Sequence, residues 1–294
     1  MEPDVLRAIL EKALTECEVE FVCLFNWTEP MLHPRLPELV SVVRSLGIPC
    51  ELSSNLNKLK NIDAVLAAGP TKFRISNSGF TQKVYGVTHR GGDIEQVKRN
   101  MVELMAARKR VEASTQIHLL YHRYKGNLAD EAPMKNYCEQ LGIEFVPVWA
   151  FFAPVEKILS HVEGDGQFPL TTEDEDIMSR LLLPVDMALD AAQLHREKAC
   201  VLQTEQMTLD CRGDVRLCCA TYDSDQFTLG NYLTRSLEDF QNAKYRDDTC
   251  TRCMKHGVHI YYTYAASEFD AIARSHAAME QLSILDATQV HSNA

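Results

Sequence analysis

Apolar residues fall at helical spacing from Asp4 to Thr15, with Val5, Ile9 and Ala13 on one row and Leu6, Leu10 and Leu14 on the next. The run VEFVCLFNW from Val19 is apolar and β-rich, so the pattern predicts a helix followed by a buried strand. Leu36 to Leu46 repeats the helical pattern and stops at Gly47. CELSSNL (50–56) then reads as a strand, LKNIDAVLAAG (59–69) as a helix closed by Gly69, and KFRISNSG from Lys72 as the next strand. Beyond a loop around Gly91 and Gly92 come a long helix from Ile94 to Arg110 and a strand at QIHLLYHRY (116–124). A helix from Asp130 to Leu141 and a strand at IEFVPVWAF (143–151) follow. The alternation predicts parallel strands joined by right-handed helical crossovers. Five strands at spacings of roughly 25 to 30 residues fit an open doubly wound sheet or a partial barrel, and periodicity does not choose between them.

The pattern changes after residue 152. EGDGQFPLTTEDEDI (163–177) is polar and acidic, and a helical stretch from Glu173 to Glu197, broken at Pro184, forms a bridge. From Cys200 the text becomes short alternating strands, with Arg212-Gly213-Asp214 as a hairpin turn. SEFDAIARSHAAMEQLSILDATQV reads as a C-terminal helix with a tail. The expected divisions are 1–152 (α/β unit), 153–199 (helical bridge), 200–263 (small cysteine-rich β-hairpin/α domain) and 264–294 (C-terminal helix and tail).

With 294 residues, 46% of them hydrophobic, the chain can bury a full core. Lys+Arg of 30 against Asp+Glu of 41 gives a net charge of -11, which offers no basic footprint and argues against a nucleic-acid partner. No apolar run approaches the roughly 18 residues of a membrane span, and MEPDVLRAILEKALTECEVE carries acidic residues throughout, unlike a signal peptide. A soluble cytoplasmic protein without a membrane partner is expected. Its ten cysteines should then be reduced thiols.

Cys17, Cys23, Cys50 and Cys138 sit in apolar helical or strand-like contexts and read as packing residues. DDTCTRCMKHG (247–257) differs. Cys250 and Cys253 lie one helical turn apart among Asp247, Asp248, Thr249, Thr251, Arg252 and Lys255, which suits metal binding better than packing. A hairpin turning at Gly213 would bring Cys200 towards Cys218, so that four sulfurs converge. Four thiolates suit Zn2+ or an iron–sulfur cluster equally. Cys219 beside Cys218, and Cys211 before them, leave the ligand choice open, because consecutive strand residues face opposite sides.

Cys200-x12-Gly213-x4-Cys218 with Cys250-x2-Cys253 resembles the C-terminal SPASM/twitch module of radical SAM enzymes, and LGNYLTRSLEDFQNAKYR (229–246) is similar to the segment between its ligand pairs. The resemblance implies an auxiliary [4Fe-4S] cluster on Cys200, Cys218, Cys250 and Cys253, with Cys218 selected by its register from Gly213. FNWTEPMLHPRLPELVSVVRSLGIPCELSSNLN is likewise similar to a radical SAM barrel stretch, with Glu29-Pro30 at the E-P of G-G-E-P and Asn26, Trp27 and Thr28 departing from the glycines. That likeness implies a partial (βα) barrel of parallel strands lacking its first strand. It further implies that Glu29 meets the amino group of S-adenosylmethionine. FRISNSGFTQKVYGVTHRGGDIEQVKRNM resembles the next barrel strand and its following loop, which implies that Ser54, Asn55, Ser76 and Arg90 lie at the cofactor end. His122 and Tyr124, or Tyr121 and Arg123 on the opposite face, would line the barrel mouth.

The family's C-x3-C-x2-C motif has no counterpart in this sequence. A shortened reading of a longer enzyme is the expectation, ahead of a degenerate homologue or a partner that borrows a strand. The strand at VEFVCLFNW would then expose an edge for another chain to cover. The function implied is that of a truncated enzyme of the class that cleaves S-adenosylmethionine to a 5'-deoxyadenosyl radical for substrate modification. The substrate is unknown (peptide, sugar or small molecule), and a reductant protein is a further expected partner. The alternative is a non-catalytic electron-transfer or zinc-stabilised protein.

Overall fold

A computed structural model describes residues 1–292, with side chains through residue 282. In the first part of the chain, helices and strands alternate as α1 (Pro3–Glu16), β1 (Val22–Cys23), α2 (Leu36–Ser45), β2 (Cys50–Ser54), α3 (Ile62–Ala67) and β3 (Lys72–Asn77). They continue as α4 (Gln82–Thr88), α5 (Ile94–Arg110), β4 (Gln116–Arg123), α6 (Leu128–Leu141) and β5 (Glu144–Trp149). The sheet order is β1-β2-β3-β4-β5, and the pairs β1/β2, β2/β3 and β3/β4 are parallel. A doubly wound sheet reverses its strand order at a switch point. Here the order never reverses, so successive right-handed crossovers fall on one face, as in a barrel wall. The choice that periodicity left open is settled towards the partial barrel.

Burial along the strands follows from that winding. Phe73 and Ile75 of β3 and Ile117, Leu119 and Tyr121 of β4 are buried in the main core, with Val40 and Val43 of α2 and Val97, Met101 and Leu104 of α5. The alternate residues Lys72, Arg74, Ser76, His118, Leu120 and His122 are half-buried on the other face. Glu51 of β2 bonds both Lys72 (3.1 Å) and Arg74 there.

Helix boundaries have local causes. The Asp93 carboxylate accepts the Glu95 and Gln96 N–H groups at the start of α5, and Arg108, Lys109 and Arg110 close its last turn. Gly79 precedes α4 because a Cβ there would stand 2.5 Å from the Tyr85 backbone nitrogen. The helix α4 itself falls where the sequence suggested only a loop.

Two expectations need correction. VEFVCLFNW is not a long buried strand: only Val22–Cys23 pairs, at the end of the sheet, and Phe21 is 51% exposed. Cys50 and Cys138 are buried, but Cys17 and Cys23 are exposed, because Cys17 ends α1 and Cys23 lies on that terminal strand.

The described chain forms two compact units, the first made of 1–122, 129–148 and 211–213, the second of 123–128, 149–210 and the chain from Asp214. The second contains α7 (Val155–Glu163), α8 (Thr172–Ser179), α9 (Val185–Ala192), α10 (Val201–Thr204), β6 (Thr208–Leu209), β7 (Asp214–Arg216) and β8 (Thr228–Asn231). It ends with α11 (Leu237–Arg246), α12 (Asp248–Lys255), α13 (Val258–Thr263) and α14 (Glu268–Ser292). The last residues of the expected tail, 293–294, lie outside the described residues. β6, β7 and β8 form an antiparallel sheet, and the hairpin turns at Gly213 as expected. Where strand was expected directly after Cys200, the chain makes one helical turn, because the Cys200 carbonyl accepts the Gln203 and Thr204 N–H groups. A core of Val155, Ile158, Leu159, Leu183, Leu189, Val258, Ile260, Tyr261 and Phe269 holds this unit together.

Candidate functional site

In the first unit, Glu29, Ser54 and Asn55 meet at the C-terminal end of β2. The Glu29 carboxylate accepts Met31 N–H at 3.0 Å on one oxygen and Asn55 N–H at 2.9 Å on the other. Ser54 Oγ accepts Leu56 N–H, and Asn55 Oδ1 accepts Asn57 N–H. The chain of bonds runs on through groups that sequence reasoning missed: Asn57 Nδ2 donates to Tyr85 Oη at 2.7 Å, and Tyr85 stacks on His89 with ring centroids 4.3 Å apart. The His89 ring stands 3.1 Å from Ser78 Oγ, and His122 Nδ1 stands 3.3 Å from the Asn77 carbonyl. Burial, reinforced by His122, pushes the His89 pKa down to about 4, and burial lowers that of His122 as well. Ser76 lies half-buried on the same strand face as Arg74, while Arg90 is exposed in the turn after α4. Of the two mouth-lining pairs, Tyr121 faces the core and His122 the opposite side.

In the second unit, Cys200 caps α10, Cys218 follows β7, and Cys250 and Cys253 lie on α12. The thiols of Cys250 and Cys253 each lie within electrostatic reach of Cys200 and Cys218. Among the described residues no three His, Cys, Asp or Glu side chains close to the spacing of a single-ion site. Burial raises Cys200, pushes Cys250 up to about 12, and holds Cys253 well above an ordinary thiol. Cys218 is the exception: a hydrogen bond from the Cys219 thiol, followed by the Ala220 N–H at 3.4 Å and the Lys244 charge, brings it down to about 7 against burial. Cys218 and Cys253 both pack on the second core. Arg252, between the two α12 cysteines, bonds Glu163 at 2.8 Å and Asp165 at 3.0 Å, and His256 bonds Glu163 at 3.0 Å, which ties α12 to α7.

Residues 200–259 match the family model described as SPASM, an iron–sulfur cluster-binding domain. The structure of SuiB from Streptococcus suis bound to S-adenosylmethionine is similar over 85% of this chain and 60% of that one, at 12% identity and a TM-score of 0.53. The chain shares the fold type of SuiB, and its residues 200–259 match the SPASM domain. SuiB bound to its precursor peptide SuiA gives the same TM-score of 0.53 over 59% of that chain. Native anSMEcpe with bound AdoMet matches at 14% identity, over 87% of this chain and 74% of that one, with a TM-score of 0.48. No curated protein sequence matches.

The SPASM domain's donor set fits an iron–sulfur group on two counts. Four clustered thiolates would repel one another unless a metal supplied positive charge, and desolvation raises the pKa of three of these four half-buried thiols as the polypeptide stands. Tyr262 Oη, Glu156 Oε2 and His259 Nδ1 are also buried without a hydrogen-bond partner, and the Tyr262 phenol feels Cys253 and Cys218. A phenol donor orphaned beside two thiols is the arrangement expected where cluster sulfur is the acceptor. Lys244 is a further group that sequence reasoning missed. It is 1% exposed and within electrostatic reach of Cys218, Cys250, Cys200 and Cys219. Its signal was available, since it lies four residues after Phe240 on the buried face of a helix.

For S-adenosylmethionine, Glu29 presents a half-buried carboxylate at a strand's C-terminal end. Each of its oxygens already accepts one backbone N–H. A carboxylate oxygen accepts two bonds, so capacity for an ammonium remains.

Proposed function

We propose that Cys200, Cys218, Cys250 and Cys253 hold a [4Fe-4S] cluster in the SPASM domain and that the chain serves radical-based substrate modification of the S-adenosylmethionine-dependent class. The observation that carries the first part is the set of four half-buried thiols within electrostatic reach of one another inside the matched segment. When bound, such a cluster supplies an electron-transfer or substrate-docking centre. The chain's own residues would position it: Arg252 and Glu163 fix the orientation of α12, the Ala220 N–H and Cys219 thiol hold the Cys218 sulfur, and Cys253 packs against the second core.

In the first unit, Glu29 would accept the ammonium of the methionine moiety, with Ser54, Asn55, Ser76 and Arg90 at that end. His89 and His122, neutral at pH 7 because of burial, would present uncharged imidazoles. A reducing, cytoplasmic setting is supported by ten free cysteines. No helix among the described residues is long and apolar enough to cross a membrane.

Anaerobic iron and sulfide analysis after reconstitution tests the cluster. About four irons and four sulfides per chain are expected. They should be lost in Cys218→Ser, Cys250→Ser or Cys253→Ser and retained in Cys219→Ser. One zinc without sulfide refutes the assignment. A second reading, electron transfer without S-adenosylmethionine cleavage, is favoured by the lack of C-x3-C-x2-C in these residues. Formation of 5'-deoxyadenosine by this chain alone would exclude it.

A further inference from the structure

We propose that Lys244 is a positioning residue that sets a fixed positive charge against the SPASM cluster and raises its reduction potential; the proposal rests on the reading that the four cysteines hold that cluster. The side chain is 1% exposed, and its ammonium donates to the carbonyls of Gln206 at 2.5 Å and Leu202 at 3.3 Å. Both carbonyls belong to the segment that Cys200 opens. From the other side, Gln203 Nε2 donates to the Lys244 carbonyl at 3.1 Å, so the residue clasps the Cys200 turn at both its ends. Lys244 also lies in the last turn of α11, directly before the helix that carries Cys250 and Cys253. The ammonium therefore bonds the segment that Cys200 opens and lies within electrostatic reach of Cys250 on α12.

An ammonium has three donors, and two are used. The third has no protein acceptor, and no carboxylate pairs with the charge among the described residues. A buried, unpaired ammonium is unfavourable in a bare polypeptide. It becomes favourable beside a cluster whose four thiolates bring excess negative charge. A structural role alone needs no charge, since a neutral amide would satisfy both carbonyls. The charge matters when the cluster gains an electron, because the reduced form carries one more negative charge and is stabilised more by a nearby cation than the oxidised form.

The experiment is a dithionite titration of the full, cluster-loaded chain, followed by visible absorbance and electron paramagnetic resonance, on wild type, Lys244→Arg and Lys244→Gln. Iron and sulfide are quantified in each. With equal cluster content, K244R should keep a midpoint near wild type and K244Q should shift to a lower potential. K244Q at the wild-type midpoint overturns the proposal. Retention of the cluster in K244R and its loss in K244Q supports it, because charge then decides retention. Loss from both variants overturns it in favour of a purely steric role. Absence of iron and sulfide from wild type instead removes the cluster assignment itself, so the two failures are told apart before any variant is titrated.

Discussion

His89 makes stability fall with acidity in a way that one substitution should remove. Its ring stacks on Tyr85, stands 3.1 Å from Ser78 Oγ and has a pKa near 4, set by burial and by His122. An unfolded histidine titrates near 6.5. Between those values the unfolded chain binds a proton that the folded chain refuses. Stability is therefore full above about pH 6.5 and declines as pH falls towards 4. At pH 5 the difference is about 1.5 units at about 1.4 kcal/mol each, or roughly 2 kcal/mol lost relative to pH 7. His89→Gln keeps a polar group for Ser78 and Thr88 but has nothing to titrate. Urea unfolding followed by circular dichroism at pH 7 and pH 5 should show the variant losing about 2 kcal/mol less than wild type over that interval. Carboxylate contributions are common to both proteins and cancel. Equal losses in the two would refute the reasoning.

Glu29 separates charge from scaffold. Glu29→Gln leaves an acceptor for one backbone N–H and should weaken S-adenosylmethionine binding measured by calorimetry with little change in unfolding midpoint, whereas Glu29→Ala, which orphans Met31 and Asn55 N–H, should also destabilise by about 1–2 kcal/mol. Wild-type affinity in Glu29→Gln would remove Glu29 from the binding site. Glu163→Gln loses the charge that draws Arg252 and His256 onto α7. Charge-assisted bonds on side chains that are only a fifth to a quarter exposed are worth about 1–2 kcal/mol together, so iron release to a chelator should quicken about tenfold. Release at the wild-type rate would mean that α12 does not depend on that buttress. Because Arg252 holds the Glu163 pKa below the usual carboxylate range, the same stabilisation is present above about pH 4.5 and is lost as pH falls further.

The GN…SL segment shows why much of the SPASM domain could be read from sequence. Gly230 has φ of +122°, Asn231 bonds Asp214 Oδ1 across the sheet and caps the next turn, and Ser236 forms a capping box with Asp239. Phe240 then fills the core. Each letter answers a local backbone demand, and local demands leave fixed spacings. The main sheet was legible for a similar reason, because apolar alternation reports which face of β3 and β4 meets helices. Strand order was not legible, since it depends on how crossovers pack and not on any one segment. β1 was misjudged because an apolar run does not say whether a neighbour exists on both sides. In the polar chain from Asn57 through Tyr85 to His89, the Asn57–Tyr85 bond joins residues 28 apart, and no spacing announces such a bond. Lys244 escaped notice because a lysine is counted as a surface residue until its helical neighbours are weighed.

The separation of the ligands along the chain has a further consequence for how the SPASM domain holds together. Its proposed ligands come from three segments: the turn at Cys200, the loop after β7 at Cys218 and the helix α12. Between them lie short strands of two to four residues and helices of four to ten, elements too short to be stable alone. A group that binds all four sulfurs closes loops of 17 and about 31 residues at once, and that closure restricts the unfolded chain more than any single contact in the domain. Burial also keeps three of the thiols protonated until a metal displaces their protons, so assembly of the site and consolidation of the fold are one event. Lys244 and Arg252 act at the two joints of this arrangement. Lys244 clasps the turn at Cys200, while Arg252 anchors the helix that carries Cys250 and Cys253, so these two side chains consolidate the ligand segments in the same event.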